Sequence, residues 1–209
     1  MNRYFKLIFV FVFFLLTSCE KDTEGISFLT EFPVLKMKGD EYFTLAKGGS
    51  YTEPGVTAKE GETDLTVTES GTVNTAVAGV YIKGYSAVNK DGYSATTKRF
   101  VVVYSTDAGA AANNLSGKYA RSTNSVLAEW IKLAPGVYKV VNPGGAPGAT
   151  LTVIAFNPTG FVIDIPNQVS SDGSETSSDL EDYSAMPKTY KWKIVNPGYG
   201  PAVRTFNKQ

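Results

Sequence analysis

The chain has 209 residues, with 20 lysines and arginines against 20 aspartates and glutamates, no histidine and a single cysteine. A formal charge of zero offers no basic footprint, so nucleic acid is not expected as a partner. Without an imidazole neither a Ser-His-Asp nor a Cys-His arrangement can be built, and catalytic zinc loses its usual ligand, which leaves an enzyme only acid and base work by Asp, Glu or Lys.

The N-terminal stretch carries Arg3 and Lys6, then runs from Leu7 to Leu16 without a charge and ends in Thr17-Ser18-Cys19. That order of charged, apolar and small polar residues is a secretory signal. Ten apolar residues are too few for a bilayer core, which takes about 20. Leu16-Thr17-Ser18-Cys19 resembles the lipobox of bacterial lipoproteins, in which the cysteine thiol is acylated and becomes the new N-terminus. Residues 1–18 are therefore expected to be a signal peptide and Cys19 the lipidation site, with the membrane as partner through that lipid. The signal holds two of the basic residues, leaving 18 basic against 20 acidic in 19–209. Lipidation consumes the thiol and leaves none for a disulfide, a zinc site or a nucleophile. Stability must then come from buried apolar surface. Residues 20–25 are polar and acidic, and 19–32 reads as the lipidated cysteine and a tether. An acidic run at this place resembles the export signal of Bacteroidetes surface lipoproteins, which implies an outer-membrane, lipid-anchored protein on the cell surface.

Residues 33–104 show short β-branched and aromatic runs between glycine-centred turns, the pattern of an antiparallel sandwich. Strands are expected at 34–37, 42–46, 56–58 and 65–68, then at 80–88 and 93–104 around the turn Asn89-Lys90-Asp91-Gly92, where glycine supplies a positive φ. On the first strand of this hairpin Tyr81, Lys83, Tyr85 and Ala87 share one face. If that face is inward, Lys83 must snorkel to an edge.

The series Tyr51-Thr52-Glu53-Pro54-Gly55-Val56, Ser70-Gly71-Thr72-Val73, Ala78-Gly79-Val80-Tyr81 and Asn89-Lys90-Asp91-Gly92-Tyr93 resembles a bacterial immunoglobulin-like family that recurs as a spacer in surface proteins. The resemblance implies a β-sandwich over 33–104 and no catalytic residues. Residues 105–116, with Gly109, three consecutive alanines and no evident apolar face, read as an interdomain linker in which 108–113 has the composition for one weak helical turn.

Residues 117–209 are again strand-like, with candidates at 118–121, 126–133, 136–141, 150–156, 160–165, 189–195 and 202–206. Asn142-Pro143-Gly144, Asn157-Pro158-Thr159-Gly160 and Asn196-Pro197-Gly198 share one turn chemistry: proline presets φ, glycine accepts the conformation that follows and asparagine bonds back across the turn. The fold class expected is all-β, an N-terminal immunoglobulin-like sandwich followed by a second antiparallel β domain that is either a sandwich or a barrel. Gly117-Lys118-Tyr119, Ala134-Pro135-Gly136-Val137-Tyr138, Tyr190-Lys191-Trp192-Lys193 and Val203-Arg204-Thr205-Phe206 resemble the C-terminal domain of Bacteroidetes lipoproteins of unknown activity. Such proteins are often considered glycan-binding accessories of nutrient uptake, which implies a glycan ligand and an outer-membrane transporter complex as partners.

A sugar offers a face of C–H groups that a flat ring covers, while amides and charged groups take its hydroxyls. Trp192 alternates with Tyr190 and Ile194 against Lys191 and Lys193 and reads as core. Trp130 shares its face with Val126, Ala128 and Lys132, and reads either as core or as a binding platform. Tyr199, between Gly198 and Gly200, and Tyr183 lie on loops, where binding residues concentrate. Trp130, Tyr183 and Tyr199 are thus the candidate ligand-binding residues. Residues 166–187 read as a long acidic loop, more a solvated segment than a calcium site, since no ordered Asp-x-Asp-x-Asp-Gly spacing appears. No pair of carboxylates is indicated across a cleft, so no enzyme activity, cofactor or metal is expected. The favoured reading is a surface lipoprotein that binds a polysaccharide or oligosaccharide without chemistry; the alternative is a structural or protein-interaction subunit of a surface complex.

Overall fold

The computed structural model describes residues 30–183 and 188–209, and Phe32–Gln209 forms one compact unit. The signal segment, Cys19 and the tether as far as residue 29 lie outside the described residues. Among the described residues the regular structure is strand apart from α1 (Ala108–Ala111). β1 (Val34–Met37), β3 (Val56–Glu60) and β4 (Thr63–Leu65) make one sheet in the order β1-β3-β4. β2 (Tyr42–Ala46), β5 (Thr68–Ser70), β6 (Gly79–Val88) and β7 (Ser94–Tyr104) make a second in the order β2-β7-β6-β5, with β2 parallel to β7. The run 65–68 is therefore not one strand. The chain leaves the first sheet at Leu65 and enters the second at Thr68, which is how a sandwich passes a chain from one layer to the other.

The β6–β7 hairpin turns as its sequence dictates. Gly92 has a φ of 85°, and the Asn89 carboxamide oxygen accepts from the N–H groups of Asp91 and Tyr93 at 3.1 and 2.8 Å. On β6 the face bearing Tyr85 and Ala87 is inward, both 2% exposed. Lys83 shares that face and reaches the sheet edge, where its Nζ lies 3.3 Å from Glu69 and 3.3 Å from the Gly71 carbonyl.

β7 is buried on both faces. Val101 and Val103 pack with Leu45 inside the sandwich, whereas Val102 packs with Val137 and Ile154 of the second half. This accounts for the unbroken apolar run Phe100-Val101-Val102-Val103, because a strand covered on both sides has no polar face to alternate with.

The second half is an eight-stranded antiparallel sheet nearly closed as a barrel. Its strands are β8 (Gly117–Arg121), β9 (Leu127–Ala134), β10 (Val137–Val141), β11 (Thr152–Phe156), β12 (Gln168–Val169), β13 (Glu175–Asp182), β14 (Thr189–Val195) and β15 (Val203–Lys208), in the order β11-β10-β9-β8-β15-β14-β13-β12. At the seam between β11 and β12 the Gln168 carboxamide stands in for a peptide group. Its oxygen accepts from the Ile154 N–H at 2.8 Å and its nitrogen donates to the Ile154 carbonyl at 2.7 Å. Asp164 pairs with Phe156 through an isolated bridge, so the expected strand at 160–165 is reduced to a single contact.

Two segments differ from their sequence reading. The described part of the acidic loop 166–187 supplies β12 and β13, where Asp179 pairs with Lys193 at 2.7 Å and Asp182 with Lys191 at 3.5 Å across the β13–β14 ladder. Asp179 and Asp182 are cross-strand partners, a use that strand propensity, poor in Asp and Glu, does not signal. The segment 105–116 also buries side chains: Ala110 is fully buried, and Leu115 joins the barrel core at 2% exposure. Lys132 Nζ donates to the carbonyls of Ala111 and Asn113 at 3.1 and 2.7 Å, capping the helical turn.

Arg99 locks the sandwich. It is fully buried, and its Nε lies 3.2 Å from Glu53 while its two Nη groups donate to the carbonyls of Asp40 and, at 2.6 Å, Lys38. Burial alone would raise the Glu53 pKa, but hydrogen bonds from the Tyr51 hydroxyl and the Gly55 N–H, with the Arg99 charge, outweigh it and hold the carboxyl below its usual 4.5. The folded value lies below the unfolded one, so this stabilisation is complete above the unfolded pKa and is lost as pH falls through the folded value. Arg99→Met is expected to cost about 3 kcal/mol near neutral pH, since it strands a carboxylate in a desolvated site. Urea melts of both forms across the acid range should show the parent losing more stability below pH 4.5 than the variant; parallel curves would show that the pair contributes nothing.

Candidate functional site

The structure separates the candidate residues. Trp130 is core, 1% exposed, and its reading as a platform is corrected. Its rings stack on Trp192 with centroids 5.3 Å apart and planes 17° apart, and its indole N–H donates to the Tyr190 hydroxyl at 3.0 Å. Lys132, the residue that made its face ambiguous, leaves the interior to cap α1. Trp192 is fully buried, as expected, and donates to the Pro143 carbonyl at 2.8 Å. Tyr183 and Tyr199 are half-buried and pack on the same aromatic core from outside. They sit at opposite ends of the β13–β14 pair, Tyr183 after β13 and Tyr199 after β14. Tyr183 borders an open cleft of about 700 Å³ shared with Asn113, Gly160, Phe161, Glu181 and Asp182.

The end that carries Tyr199 is built by two of the Asn-Pro-Gly turns. Asn142 takes a φ of 53°; its carboxamide accepts from the Ala146 N–H at 3.0 Å and donates to the Leu127 carbonyl at 3.2 Å. Asn196 accepts from the Gly198 N–H at 2.8 Å and donates to the Thr176 hydroxyl at 2.7 Å. Both side chains therefore bond back across their turns, as the sequence predicts. The turns meet at Gly144, where a Cβ would lie 1.9 Å from Tyr199 Cε1. Only glycine lets the ring lie there.

Beneath Tyr199 are two arginines that the sequence reading did not single out. Arg204 stacks its guanidinium on the ring, with its central carbon 5.1 Å from the centroid. It donates to the Ala202 carbonyl at 2.8 Å and towards that of Gly200 at 3.4 Å. Arg121 approaches the Gly144 and Gly145 carbonyls at 3.5 Å. The ladder brings the two together: β8 and β15 are antiparallel with Arg121 opposite Phe206, so Arg204, two residues from Phe206, lies on the same face at the same end. The available signal was the i, i+2 spacing from a core aromatic, Tyr119 to Arg121 and Phe206 to Arg204.

Tyr199 is the wall between two clefts. One, of about 500 Å³, is lined by Arg121, Leu151, Asp172, Asn196 and Arg204. The other, of about 530 Å³, is bordered by Glu175, Ser177, Lys193, Pro197 and Pro201. Burial raises the Tyr199 pKa, with the charges of Arg204 and Arg121 opposing the rise and Asp172 adding to it. Burial and then the neighbouring Arg121 lower that of Arg204. Two guanidinium groups and the Asn196 carboxamide thus surround a ring held in place by packing.

Residues 35–103 match the family model described as bacterial surface protein, Ig-like domain. Residues 35–103 are therefore similar to a bacterial surface Ig-like domain. No curated protein matches the chain. Among solved structures the chain is similar to a lipoprotein from Bacteroides thetaiotaomicron, at 22% identity over 85% of this chain and 100% of that one, with a TM-score of 0.40. The Ig-like domain meets the barrel through the outer face of its β2-β7-β6-β5 sheet. Tyr42 stacks on Phe100 at 5.0 Å, Lys139 lies over the Tyr42 ring at 5.1 Å, and Lys98 donates to the carbonyls of Ser170 and Ser171 at 3.2 Å. Past β7, Thr106 donates to the Pro135 carbonyl at 2.8 Å and the Asp107 N–H to that of Pro158 at 2.8 Å. The Ig-like domain and the barrel are thus continuous in packing, with the Tyr199 clefts on the barrel.

Proposed function

We propose that the mature protein is a lipid-anchored protein of the outer membrane, exposed at the cell surface, that binds a polysaccharide or oligosaccharide as a non-catalytic accessory of glycan uptake. The observation that carries this reading is the Tyr199 end of the barrel: an aromatic ring fixed between two open clefts, with Asn196, Arg121 and Arg204 around it. Ring and donors together suit a ligand with one apolar face and many hydroxyls. The Ig-like domain supports the surface location, and the lipobox-like sequence at Cys19 supports the anchor. Anchoring is tested by detergent-phase partitioning of Cys19→Ala, which is expected to move from the membrane to the aqueous phase; retention in the detergent phase would remove Cys19 as the attachment point.

A second reading, a protein-interaction subunit of a surface complex such as a transporter assembly, draws on the other end of the barrel. Phe161 is 82% exposed there beside Val162 at 47%. An exposed large aromatic next to a second apolar side chain is the composition of an interface core.

The two readings separate in one titration. The soluble chain from Glu20 onward keeps the whole compact unit Phe32–Gln209 and is titrated calorimetrically with plant, host-mucin and microbial polysaccharides. Saturable binding to one class, weakened about fivefold or more in a Tyr199→Ala variant shown by its melting curve to be folded at the titration temperature, is the expected outcome, since loss of a stacking ring of this kind is worth about 1 kcal/mol. Binding unaffected by Tyr199→Ala, or absent across the panel, would overturn the glycan reading of this end, and absence would transfer the weight to Phe161.

A further inference from the structure

The cleft behind Tyr199 holds two arginines and no acid that answers them. Arg204 is 6% exposed; its Nη groups donate to the main-chain carbonyls of Ala202 and Gly200, while its Nε is buried without a hydrogen-bond partner. Arg121 Nε is buried and unpartnered in the same way. Among the described residues neither guanidinium is in a salt bridge with a carboxylate, although the two charges are close enough for Arg121 to disfavour the protonated form of Arg204.

The contrast lies in the same molecule. Arg99 is also buried, and there the fold supplies the Glu53 carboxylate and carbonyl acceptors. Burying the Arg204 guanidinium without a counter-ion is costly, and a second, partly buried guanidinium beside it adds mutual repulsion. Packing does not explain the pair, since an apolar side chain at either position would avoid that cost. An anion held between them would offset that repulsion, because a guanidinium fork matches the paired oxygens of a carboxylate or a sulfate. Asp172 lines the same cleft, but its Oδ1 accepts from the Ser170 hydroxyl at 2.7 Å and the Ser174 N–H at 2.9 Å. Two positive charges against one negative leave the cleft net positive. The lining also includes the small residues Ala146, Gly148 and Ala149, and the cleft of about 500 Å³ has room for a ring-sized group.

We propose that this cleft selects an acidic glycan: the carboxylate or sulfate ester of the sugar sits between Arg121 and Arg204 while the sugar lies against Tyr199. The inference rests on the glycan reading above and narrows it to one chemical class.

The test uses the soluble chain from Glu20 with two matched pairs of probes. Polygalacturonate is compared with its methyl ester, the same backbone without the charge, and dextran sulfate with dextran. Each is titrated calorimetrically against the parent, Arg121→Met, Arg204→Met and Tyr199→Ala, with melting curves for every variant. The acidic member of one pair is expected to bind at least about tenfold more tightly than its neutral counterpart, and Arg121→Met to lose about tenfold to a hundredfold of that affinity, the range for a charged hydrogen bond. Added salt should weaken the interaction. Which pair responds tells a carboxylate from a sulfate. Arg121 is only partly buried, so its variant decides the matter if Arg204→Met fails to fold. Equal binding of neutral and acidic members, lost in Tyr199→Ala, would overturn the acidic selection and leave the glycan reading standing. Acidic binding untouched by Arg121→Met would also overturn it. Silence with all four probes and with the wider panel would overturn both.

Discussion

The stacked indoles of Trp130 and Trp192 are the contact on which the second half of the molecule depends. They sit in the middle of the barrel with Tyr190 at 5.2 and 4.9 Å from them, Tyr190 itself stacked on Phe206 at 4.9 Å, and Tyr119 and Tyr138 completing the cluster. Their polar tips are spent internally: Trp130 on Tyr190, Trp192 on the Pro143 carbonyl, Tyr119 on the Leu115 carbonyl and Tyr138 on the Asn113 carbonyl. A small barrel filled by side chains is a solid core, and one whose aromatic donors are already satisfied offers a ligand neither space nor a handle. The clefts open instead at the two ends. At one, the same packing fixes Tyr199 against Gly144; at the other it carries Tyr183.

A second constraint joins the halves. The sheet β2-β7-β6-β5 serves the Ig-like sandwich with one face and the barrel with the other, so β7 is a shared wall. The buried Arg99 lies on that wall and ties it to the 38–40 and 53–55 segments through main-chain carbonyls and Glu53. The Ig-like domain is packed against the barrel through β7. It shares a packed face with the domain that follows, and within 105–116, which looks featureless, Ala110 and Leu115 are buried.

Much of this was legible in the residues. The β6–β7 hairpin, the Asn-Pro-Gly turns and the inward face of β14 follow from period and turn chemistry, and each strand closes as that chemistry requires. The failures have physical reasons. Trp130 could not be assigned because Lys132 shares its face, and only the helical turn it caps explains how a lysine comes to lie beside a core tryptophan. β13 was hidden by its serines and acids, whose partners Lys191 and Lys193 are legible only once β14 is beside it. Leu65 and Thr68 look continuous because a layer crossing leaves no mark in a period of two. Arg121 and Arg204 are 83 residues apart in sequence and meet through strand register, a relation that no local pattern contains.

The central claim, that aromatic packing closes the barrel interior and confines recognition to its ends, is tested most directly by acrylamide quenching of the two tryptophans in the folded soluble chain, with and without a saturating glycan. The account predicts blue-shifted emission, shallow quenching compared with the urea-unfolded chain, and no change in either when the glycan is bound. Quenching as steep as in the unfolded chain, or an emission shift on binding that disappears in Trp130→Phe, would contradict it by placing the ligand within the barrel.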